Sequence, residues 1–244
     1  YKDEASILKQ TEKLLSEGAT FIDLGAYSSR PNAPNISEEE ELRRILPVVD
    51  LLINDFPDVY LSIDTFRSKV ARCCLENGAA MINDISAGNL DPKMMATISE
   101  FKVPYVMMHM KGNPQNMMQQ IQYDKLLEDV LYYLSEKVAL AKSFGINDII
   151  LDPGFGFAKN TFQSFTILKH LNLFKTFGLP ILVGLSRKSM IYKTLGTSSN
   201  EALNGTTVLN TYALTQGANI LRVHDVKEAV ECIELLEVLK QAEE

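Results

Sequence analysis

The stretch Ile149-Ile150-Leu151-Asp152 is a short apolar run that stops at a carboxylate, and Pro153-Gly154-Phe155-Gly156-Phe157 follows it directly. Six other apolar runs in the chain end in the same way. They stop at Asp23, Asp64, Asn83, His109, Ser186 and Arg222. The segments between the runs are long enough for helices, and strands that alternate with helices predict an α/β fold, namely a (β/α)₈ barrel. Such barrels carry their active sites at the carboxyl ends of the strands, so the same runs name the candidate site residues.

The composition limits the class of protein. The chain has 244 residues, close to the ~250 of one such barrel, so we expect a single domain over residues 1–244. Its net charge of −7 and pI of about 5.1 exclude a basic surface for nucleic acid or an anionic membrane. No apolar run approaches the ~20 residues of a membrane span. The odd number of cysteines, three, argues against a disulfide framework and predicts a cytoplasmic location.

The predicted order of elements holds seven strands and begins with a helix over residues 3–17. It includes a helix over residues 162–177 and a last strand over residues 219–224. A parallel barrel has a strand before each helix, so an eight-stranded barrel needs one strand more than the sequence offers. We therefore expect the first strand and the first loop of the barrel to be missing from this chain.

Two motifs near the C-terminal end predict anion binding. Arg222 and His224 are two residues apart at the end of the last strand, so their side chains point the same way and suit a phosphate or pyrophosphate. The alternative is an Arg222 paired with a barrel carboxylate and a core histidine at 224. In Ser186-Arg187-Lys188-Ser189, Lys188 can donate to a carbonyl or ring nitrogen, and Ser189 in the first helical turn can receive a carboxylate. A plain helix cap with a surface lysine is the alternative there.

Asp152 and the loop after it predict a flat ligand. A carboxylate at a barrel mouth can accept two N–H groups at once, as the edge of a 2-aminopyrimidinone presents them. The glycines allow the backbone to approach a ligand closely, and Phe157 offers a flat apolar wall. Asp64 and Asn83, at the ends of neighbouring strands, add polar groups to the same cavity. A structural hydrogen bond is an equal alternative for each residue alone, but their joint position at strand ends predicts a shared site.

Three further positions are candidates with simpler alternatives. Met108 and His109 point to opposite sides by strand alternation, so only one of them should line the pocket. Asp23 precedes Gly25 and is expected to brace the loop after the first strand. Arg30 lies in a polar loop, where it is either an anion contact or an ordinary solvated arginine.

Six short motifs, taken in chain order, resemble those of the dihydropteroate synthase family. They are Ser28-Ser29-Arg30-Pro31, Ser62-Ile63-Asp64-Thr65, Asn83-Asp84, the run from Asp152 to Phe157, the run from Ser186 to Ser189, and Arg222-Val223-His224-Asp225. The resemblance covers essentially the whole chain. It implies a transferase that joins 6-hydroxymethyl-7,8-dihydropterin pyrophosphate to p-aminobenzoate in folate synthesis, releasing pyrophosphate and 7,8-dihydropteroate, and that is the target of sulfonamides. It also implies Mg²⁺ as a cofactor and a homodimer.

Carried onto this sequence, the resemblance implies three groups of site residues. The pterin pocket would consist of Asp64, Asn83, Met108, Asp152, Phe157, Lys188 and Arg222. The p-aminobenzoate site would consist of Ser29, Arg30, Pro31, Phe157, Lys188 and Ser189. The pyrophosphate would be bound by Arg222 and His224. The residues implied in catalysis are Asp64, Lys188, Arg222 and His224.

The chain departs from the family pattern in two places. The usual Gly-Gly-Glu-Ser-Thr-Arg-Pro-Gly reads Gly25-Ala26-Tyr27-Ser28-Ser29-Arg30-Pro31-Asn32 here, and Ser29 keeps the hydroxyl of the usual Thr. The family's first strand and mobile loop, with an Asn that contacts the pyrophosphate and the metal, would lie upstream of Tyr1. We therefore expect no metal ligand among the residues present.

Three other functions fit part of the sequence. A pterin-binding homologue without synthase activity would keep Asp152 and Asn83 but has no need of Arg30 or Lys188. A corrinoid-linked methyltetrahydrofolate methyltransferase shares the barrel, but a pair such as Arg222 and His224 suits pyrophosphate chemistry instead. A Schiff-base aldolase would use Lys188 as its nucleophile.

Overall fold

The computed structural model describes residues 3–29 and 33–242. Within these ranges seven short strands alternate with nine α-helices. The strands are β1 (Phe21–Leu24), β2 (Tyr60–Asp64), β3 (Met81–Asp84), β4 (Tyr105–Met108), β5 (Ile149–Asp152), β6 (Leu182–Val183) and β7 (Ile220–Leu221). The helices are α1 (Glu4–Ser16), α2 (Glu38–Asp55), α3 (Ser68–Glu76), α4 (Met94–Phe101), α5 (Leu126–Ser143), α6 (Thr161–Lys169), α7 (Ser189–Leu195), α8 (Leu203–Gln216) and α9 (Val226–Gln241).

The strands pair in parallel and follow one another in chain order. β1 to β5 form one sheet, β6 pairs with β7, and a bridge between Leu151 and Ile181 connects β5 to β6. Beyond β7, the Nε of Arg222 donates to Oδ2 of Asp23 in β1 at 2.6 Å. The last strand therefore ends beside the first, as the predicted barrel requires, although no ladder joins β7 to β1 in the part of the chain that the structure describes.

The strands from β3 to β7 contribute to two apolar clusters, one on each side. The outer layer, for example Leu61 and Ile63 in β2, packs against the helices. A second, smaller cluster takes one side chain from each of five consecutive strands, and its members are Met81, Val106, Ile150, Leu182 and Ile220. Side chains from successive strands that meet in a cluster of their own are the interior of a barrel. Together with the parallel pairing, this confirms the predicted α/β class.

The structure differs from the predicted elements in three segments. The predicted helix over residues 162–177 breaks at His170 into α6 and a 3₁₀ segment, Leu171–Phe177. The last strand is only two residues long, because the polar residues after Leu221 leave the ladder and enter the site. The sequence pattern does not predict α4, which has only eight residues and no side-chain cap at Lys93. Among the described helices, none combines the length and apolarity needed to span a bilayer.

Candidate active site

The carboxyl ends of the strands meet at one mouth. A cavity of about 650 Å³ runs along the gap between β7 and β1, from Thr20 and Asn219 at the amino ends of these strands to Arg222 at the carboxyl ends. Five of the polar residues on its wall stand at or just after strand ends. They are Asp23, Asn83, Lys188, Arg222 and His224. The prediction that separate strand ends contribute to a single cavity is therefore met for these residues.

Arg222 lies between two carboxylates. Its guanidinium donates to Asp23 at 2.6 Å and to Oδ2 of Asp64 at 2.8 Å, and the second oxygen of Asp23 accepts from Ser62 Oγ at 2.6 Å. The pairing of Arg222 with a barrel carboxylate, which the sequence left as an alternative, is thus present. The Arg222 side chain is still 45% exposed, so its outer face remains open to an anion.

The surroundings of Asp64 bring its pKa close to neutral pH. Burial raises the pKa of Asp64 to about 7; the charge of Arg222 opposes this rise, and the nearby carboxylate of Asp23 adds to it. Burial alone would lower the pKa of Arg222, but the carboxylates of Asp23 and Asp64 raise it instead. The arginine therefore stays charged, while Asp64 changes its charge near neutral pH.

Asp152 is a buried carboxylate, and only one of its two oxygens accepts a hydrogen bond from the described residues. Oδ1 accepts the backbone N–H of Gly154 at 2.7 Å, and the second oxygen receives no hydrogen bond from the residues described. Burial raises the pKa of Asp152, while the charge of Lys188 and the Gly154 N–H oppose the rise. A ligand that donates two N–H groups would complete its hydrogen bonding.

Lys188 reaches from the start of α7 to the loop that follows Asp152. Its Nζ donates to the carbonyl of Phe155 at 2.5 Å and lies 5.1 Å from the centroid of the Phe157 ring. Burial lowers the pKa of Lys188 to about 8, and the carboxylates of Asp152 and Asp64 counteract that effect. Ser189 directly follows Lys188 as the first residue of α7. Lys188 is therefore a pocket cation and not the surface lysine of the simpler alternative.

Met108 and His109 lie on opposite sides, as alternation predicts. Met108 packs in a cluster with Phe157 and Ile85. His109 is 1% exposed, and its ring packs edge-on against Tyr133 at 4.8 Å, toward α5. Of these two residues, Met108 is therefore the one on the side of Phe157.

His224 stands on the cavity wall beyond Arg222. Its Nδ1 lies 2.9 Å from Oγ of Ser186, and its backbone N–H donates to the same oxygen at 3.2 Å. The side chain is exposed and is therefore not the core histidine of the alternative.

Tyr27 anchors the loop after β1, and the sequence motifs did not predict this role. Tyr27, where the family pattern has Glu, is 7% exposed and packs edge-on against Phe66 at 5.0 Å. Its hydroxyl accepts from Nε2 of Gln115 at 2.5 Å, which links this loop to the one after β4. Ser29 is half-buried in the same loop. Arg30 and Pro31 lie outside the described residues.

The sequence also did not predict two ion pairs that lie near the site. Glu41 is fully buried in α2, where its carboxylate accepts from Thr65 at 2.7 Å and from Arg67 at 2.5 Å. The signal was an acidic residue on the apolar face of α2, four positions before the buried Ile45. Arg187 of the Ser-Arg-Lys-Ser motif points away from the pocket and pairs with Asp225 through two bonds of 2.8 and 2.9 Å.

Comparison with known proteins places this geometry in a family. The model of the pterin binding enzyme family matches residues 1–224. A dihydropteroate synthase of Escherichia coli (strain K12) is 40% identical over 239 residues, which are 97% of this chain and 84% of that protein.

Solved structures agree with the sequence relatives. A crystal structure of the Yersinia pestis dihydropteroate synthase with a sulfonamide drug matches with a TM-score of 0.94 and 39% identity, over 99% of this chain and 88% of that one. A structure of the Xanthomonas albilineans dihydropteroate synthase with 4-aminobenzoic acid matches with a TM-score of 0.91 and 34% identity, over 98% of this chain and 86% of that one.

The resemblance first seen in six short motifs thus extends over nearly the whole length and fold of the molecule. The chain belongs to the pterin-binding enzymes and, among them, to the dihydropteroate synthases.

Proposed function

We propose that the chain is a transferase of folate synthesis that condenses 6-hydroxymethyl-7,8-dihydropterin pyrophosphate with p-aminobenzoate and releases pyrophosphate. The observation that carries this proposal is the contact of Arg222 with the carboxylates of Asp23 and Asp64, with Asp152 and Lys188 near enough to influence each other's pKa. The relatives that share 40% of its residues over 97% of the chain are dihydropteroate synthases, which supports the same reaction here.

The pterin would lie flat, with one face against the wall that Met108 and Phe157 form. The free oxygen of Asp152 and the one already bonded to Gly154 would accept the amino and ring N–H groups of the pyrimidinone edge. Asn83, which is 5% exposed on the cavity wall, and Lys188 would supply the remaining polar contacts. Arg222 would cover one face of the ring.

The reaction would begin with cleavage of the C–O bond between the pterin methylene and the pyrophosphate. The bonding electrons leave with the pyrophosphate, and Arg222 and His224 would bind its negative charge. The pterin cation that remains would be stabilised by the carboxylates of Asp64 and Asp152. The amine nitrogen of p-aminobenzoate then forms the new C–N bond and releases a proton to water. The protein contributes orientation and fixed charges and needs no side-chain nucleophile.

The p-aminobenzoate would bind between Phe157, Lys188 and Ser189 on one side and the loop of Ser29, Arg30 and Pro31 on the other. Its carboxylate would face the start of α7. The position of Lys188, 5.1 Å from the Phe157 ring, supports a shared wall for the two substrates.

The implied Mg²⁺ finds no dedicated site in the described ranges, where no group of three His, Cys, Asp or Glu side chains could hold a metal. The two carboxylates nearest the pyrophosphate subsite, Asp23 and Asp64, already bind Arg222. The steps above therefore use only side chains of this chain.

We further propose that residues 1–244 act as one barrel domain, because side chains from β3 to β7 share one interior cluster. The free cysteines, Cys73, Cys74 and Cys232, agree with a reducing compartment such as the cytoplasm. Apolar side chains exposed on α8 and α9 support a homodimer.

The proposed function is tested by calorimetric binding of dihydropterin pyrophosphate to the wild-type chain and to Asp152→Asn, followed by assay of pyrophosphate release with p-aminobenzoate. The variant keeps the shape of the side chain but replaces one acceptor oxygen with a donor. We expect binding to the wild type, loss of affinity of about 10²-fold in Asp152→Asn, and release that depends on p-aminobenzoate.

Each rival function predicts a different result, either in this experiment or in an assay of its own. Pterin binding without release would favour the non-catalytic homologue. Methyl transfer from methyltetrahydrofolate to a corrinoid would favour the methyltransferase. A borohydride-trapped substrate adduct on Lys188 would favour the aldolase.

A further inference from the structure

Lys159 is a buried lysine that none of the steps above uses. It is 2% exposed and lies two residues after Phe157. Its Nζ is 2.8 Å from Nδ1 of His109, 3.0 Å from the carbonyl of Gly154 and 3.1 Å from the carbonyl of Phe157. A lysine ammonium has three N–H donors and no acceptor. The carbonyl of His109, at 3.4 Å, is a fourth and more distant acceptor. The three donors of the ammonium are therefore all used.

The partner histidine has a defined protonation state. Burial lowers the pKa of Lys159 to about 7, and the carboxylate of Asp152 opposes this shift. When Lys159 is protonated it only donates, so Nδ1 of His109 is then the acceptor and the ring proton is on Nε2. Burial lowers the pKa of His109 to about 2, and the charge of Lys159 adds to this, so the ring is neutral. Lys159 thus connects the end of β4 to the loop after β5 through one neutral ring.

The loop after β5 has an unusual backbone. Gly154, Gly156 and Ala158 have φ values of +74°, +78° and +48°, so that every second residue is left-handed. Ala158 has a Cβ and is strained in this conformation. A Cβ at position 154 would collide with the carbonyl oxygen of His109, which shows how closely the loop lies on the end of β4. We expect hydrogen bonds from other side chains to stabilise this backbone conformation.

Two lysines provide those partners from opposite sides. Lys159 binds the carbonyls of Gly154 and Phe157, and Lys188 binds the carbonyl between them, that of Phe155, at 2.5 Å. In this conformation the N–H of Gly154 points at Oδ1 of Asp152. The orientation of the Asp152 carboxylate thus depends on a backbone that Lys159 holds.

We infer that Lys159 is a positioning residue of the pterin site, which holds the Asp152 carboxylate in place through the loop that follows it. This inference rests on the proposed function, since it takes the Asp152 carboxylate as a pterin contact. Without the ammonium, the carbonyl of Phe157 loses its lysine donor, and the carbonyl of Gly154 keeps only the N–H of Phe157. The strained loop then relaxes and the Gly154 N–H leaves the carboxylate.

The test is a double-mutant cycle of Lys159→Met with Asp152→Asn, read out by calorimetry with dihydropterin pyrophosphate. Lys159→Met keeps the length of the side chain and removes its donors. In the wild-type background we expect pterin affinity to fall by about 10²-fold. In the Asp152→Asn background, where the positioned carboxylate is already gone, the same change should cost less than about threefold. Lys111→Met, on the loop after β4, serves as the control and should bind like the wild type.

The outcomes separate this inference from the proposed function. If the folded wild type binds no pterin, the proposed function fails. If the wild type binds and Lys159→Met binds equally well, or loses the same affinity in both backgrounds, Lys159 is not a positioning residue and the inference is overturned. Should Lys159→Met fail to fold, Lys159→Gln, which keeps two N–H donors, enters the same cycle. An intermediate, non-additive loss is then expected, and unchanged or additive binding overturns the inference.

Discussion

At the residue scale, the site depends on two charged side chains whose pKa values burial has shifted toward neutral pH. Burial raises the pKa of Asp64 to about 7 and lowers the pKa of Lys188 to about 8. The carboxylate of Asp64 is charged above its pKa, and the ammonium of Lys188 is charged below its own. Both charges therefore coexist only in a narrow range of pH, which is where the proposed chemistry needs them.

We predict a narrow, bell-shaped pH profile of kcat/KM for the dihydropterin pyrophosphate. The rate should fall as the pH drops below about 7, because protonated Asp64 no longer stabilises a pterin cation. It should fall again above about 8, because Lys188 loses its charge. Initial rates between about pH 5.5 and about pH 9.5 would measure both limbs. Asp64→Asn should remove the acid limb, and a profile that is flat across this range would contradict the assignment.

At the scale of the elements, a buried ion pair connects α2 to the turn after β2. Glu41 is fully buried, and Arg67 bonds both its carboxylate and the backbone carbonyl of Ile36, at 2.7 Å for the latter. The Arg67 guanidinium also stacks on the Tyr27 ring at 5.3 Å from its centroid. The described part of the loop after β1 is thus held from both ends.

We predict that Glu41→Gln lowers the free energy of unfolding by about 3 kcal/mol, because it leaves the Arg67 cation without its buried counter-charge. The measurement is denaturant unfolding followed by circular dichroism. Glu40→Gln is the matched control on the same helix, since Glu40 pairs with Arg43 and Arg44 at the surface, where ion pairs contribute little. If both substitutions lowered the free energy of unfolding equally, the buried pair would contribute no more to stability than the surface pair.

At the scale of the whole molecule, the last two helices leave apolar side chains in water. Leu235 and Leu239, one turn apart on α9, are 72% and 68% exposed, and Val208 on the neighbouring α8 is 57% exposed. Single exposed apolar residues are ordinary, but a group on two packed helices is typical of an interface. Such a group supports the proposed homodimer.

We predict that the wild-type chain sediments at about twice its monomer mass of 27.3 kDa, and that Leu235→Glu shifts it to the monomer. The introduced carboxylate would have to lose its hydration in the interface. Phe162→Glu is the control, because Phe162 on α6 is even more exposed, at 85%, but lies outside the proposed interface. A monomeric wild type, or equal dissociation by both variants, would reject the α8–α9 interface.

The sequence by itself determined the order of the elements and the place of the chemistry. Short apolar runs that stop at Asp64, Asp152 or Arg222 are local patterns, and parallel strands bring their carboxyl ends to one edge whatever the details of packing. The same local signals missed α4, which has no capping side chain, and overextended the last strand beyond Leu221.

Only the tertiary structure decided which partner each charge takes. Arg222 bonds Asp23, which is 199 positions away in the chain, and Lys159 meets His109 across 50 positions. Hydrogen bonds and pKa shifts depend on distances of a few ångström and on the water that burial removes, and neither quantity follows from spacing in the chain. For this reason the sequence predicted that these residues share a site, and the fold decided that Arg222 pairs with two carboxylates, that burial raises the pKa of Asp64 and that a buried lysine bonds the loop after Asp152.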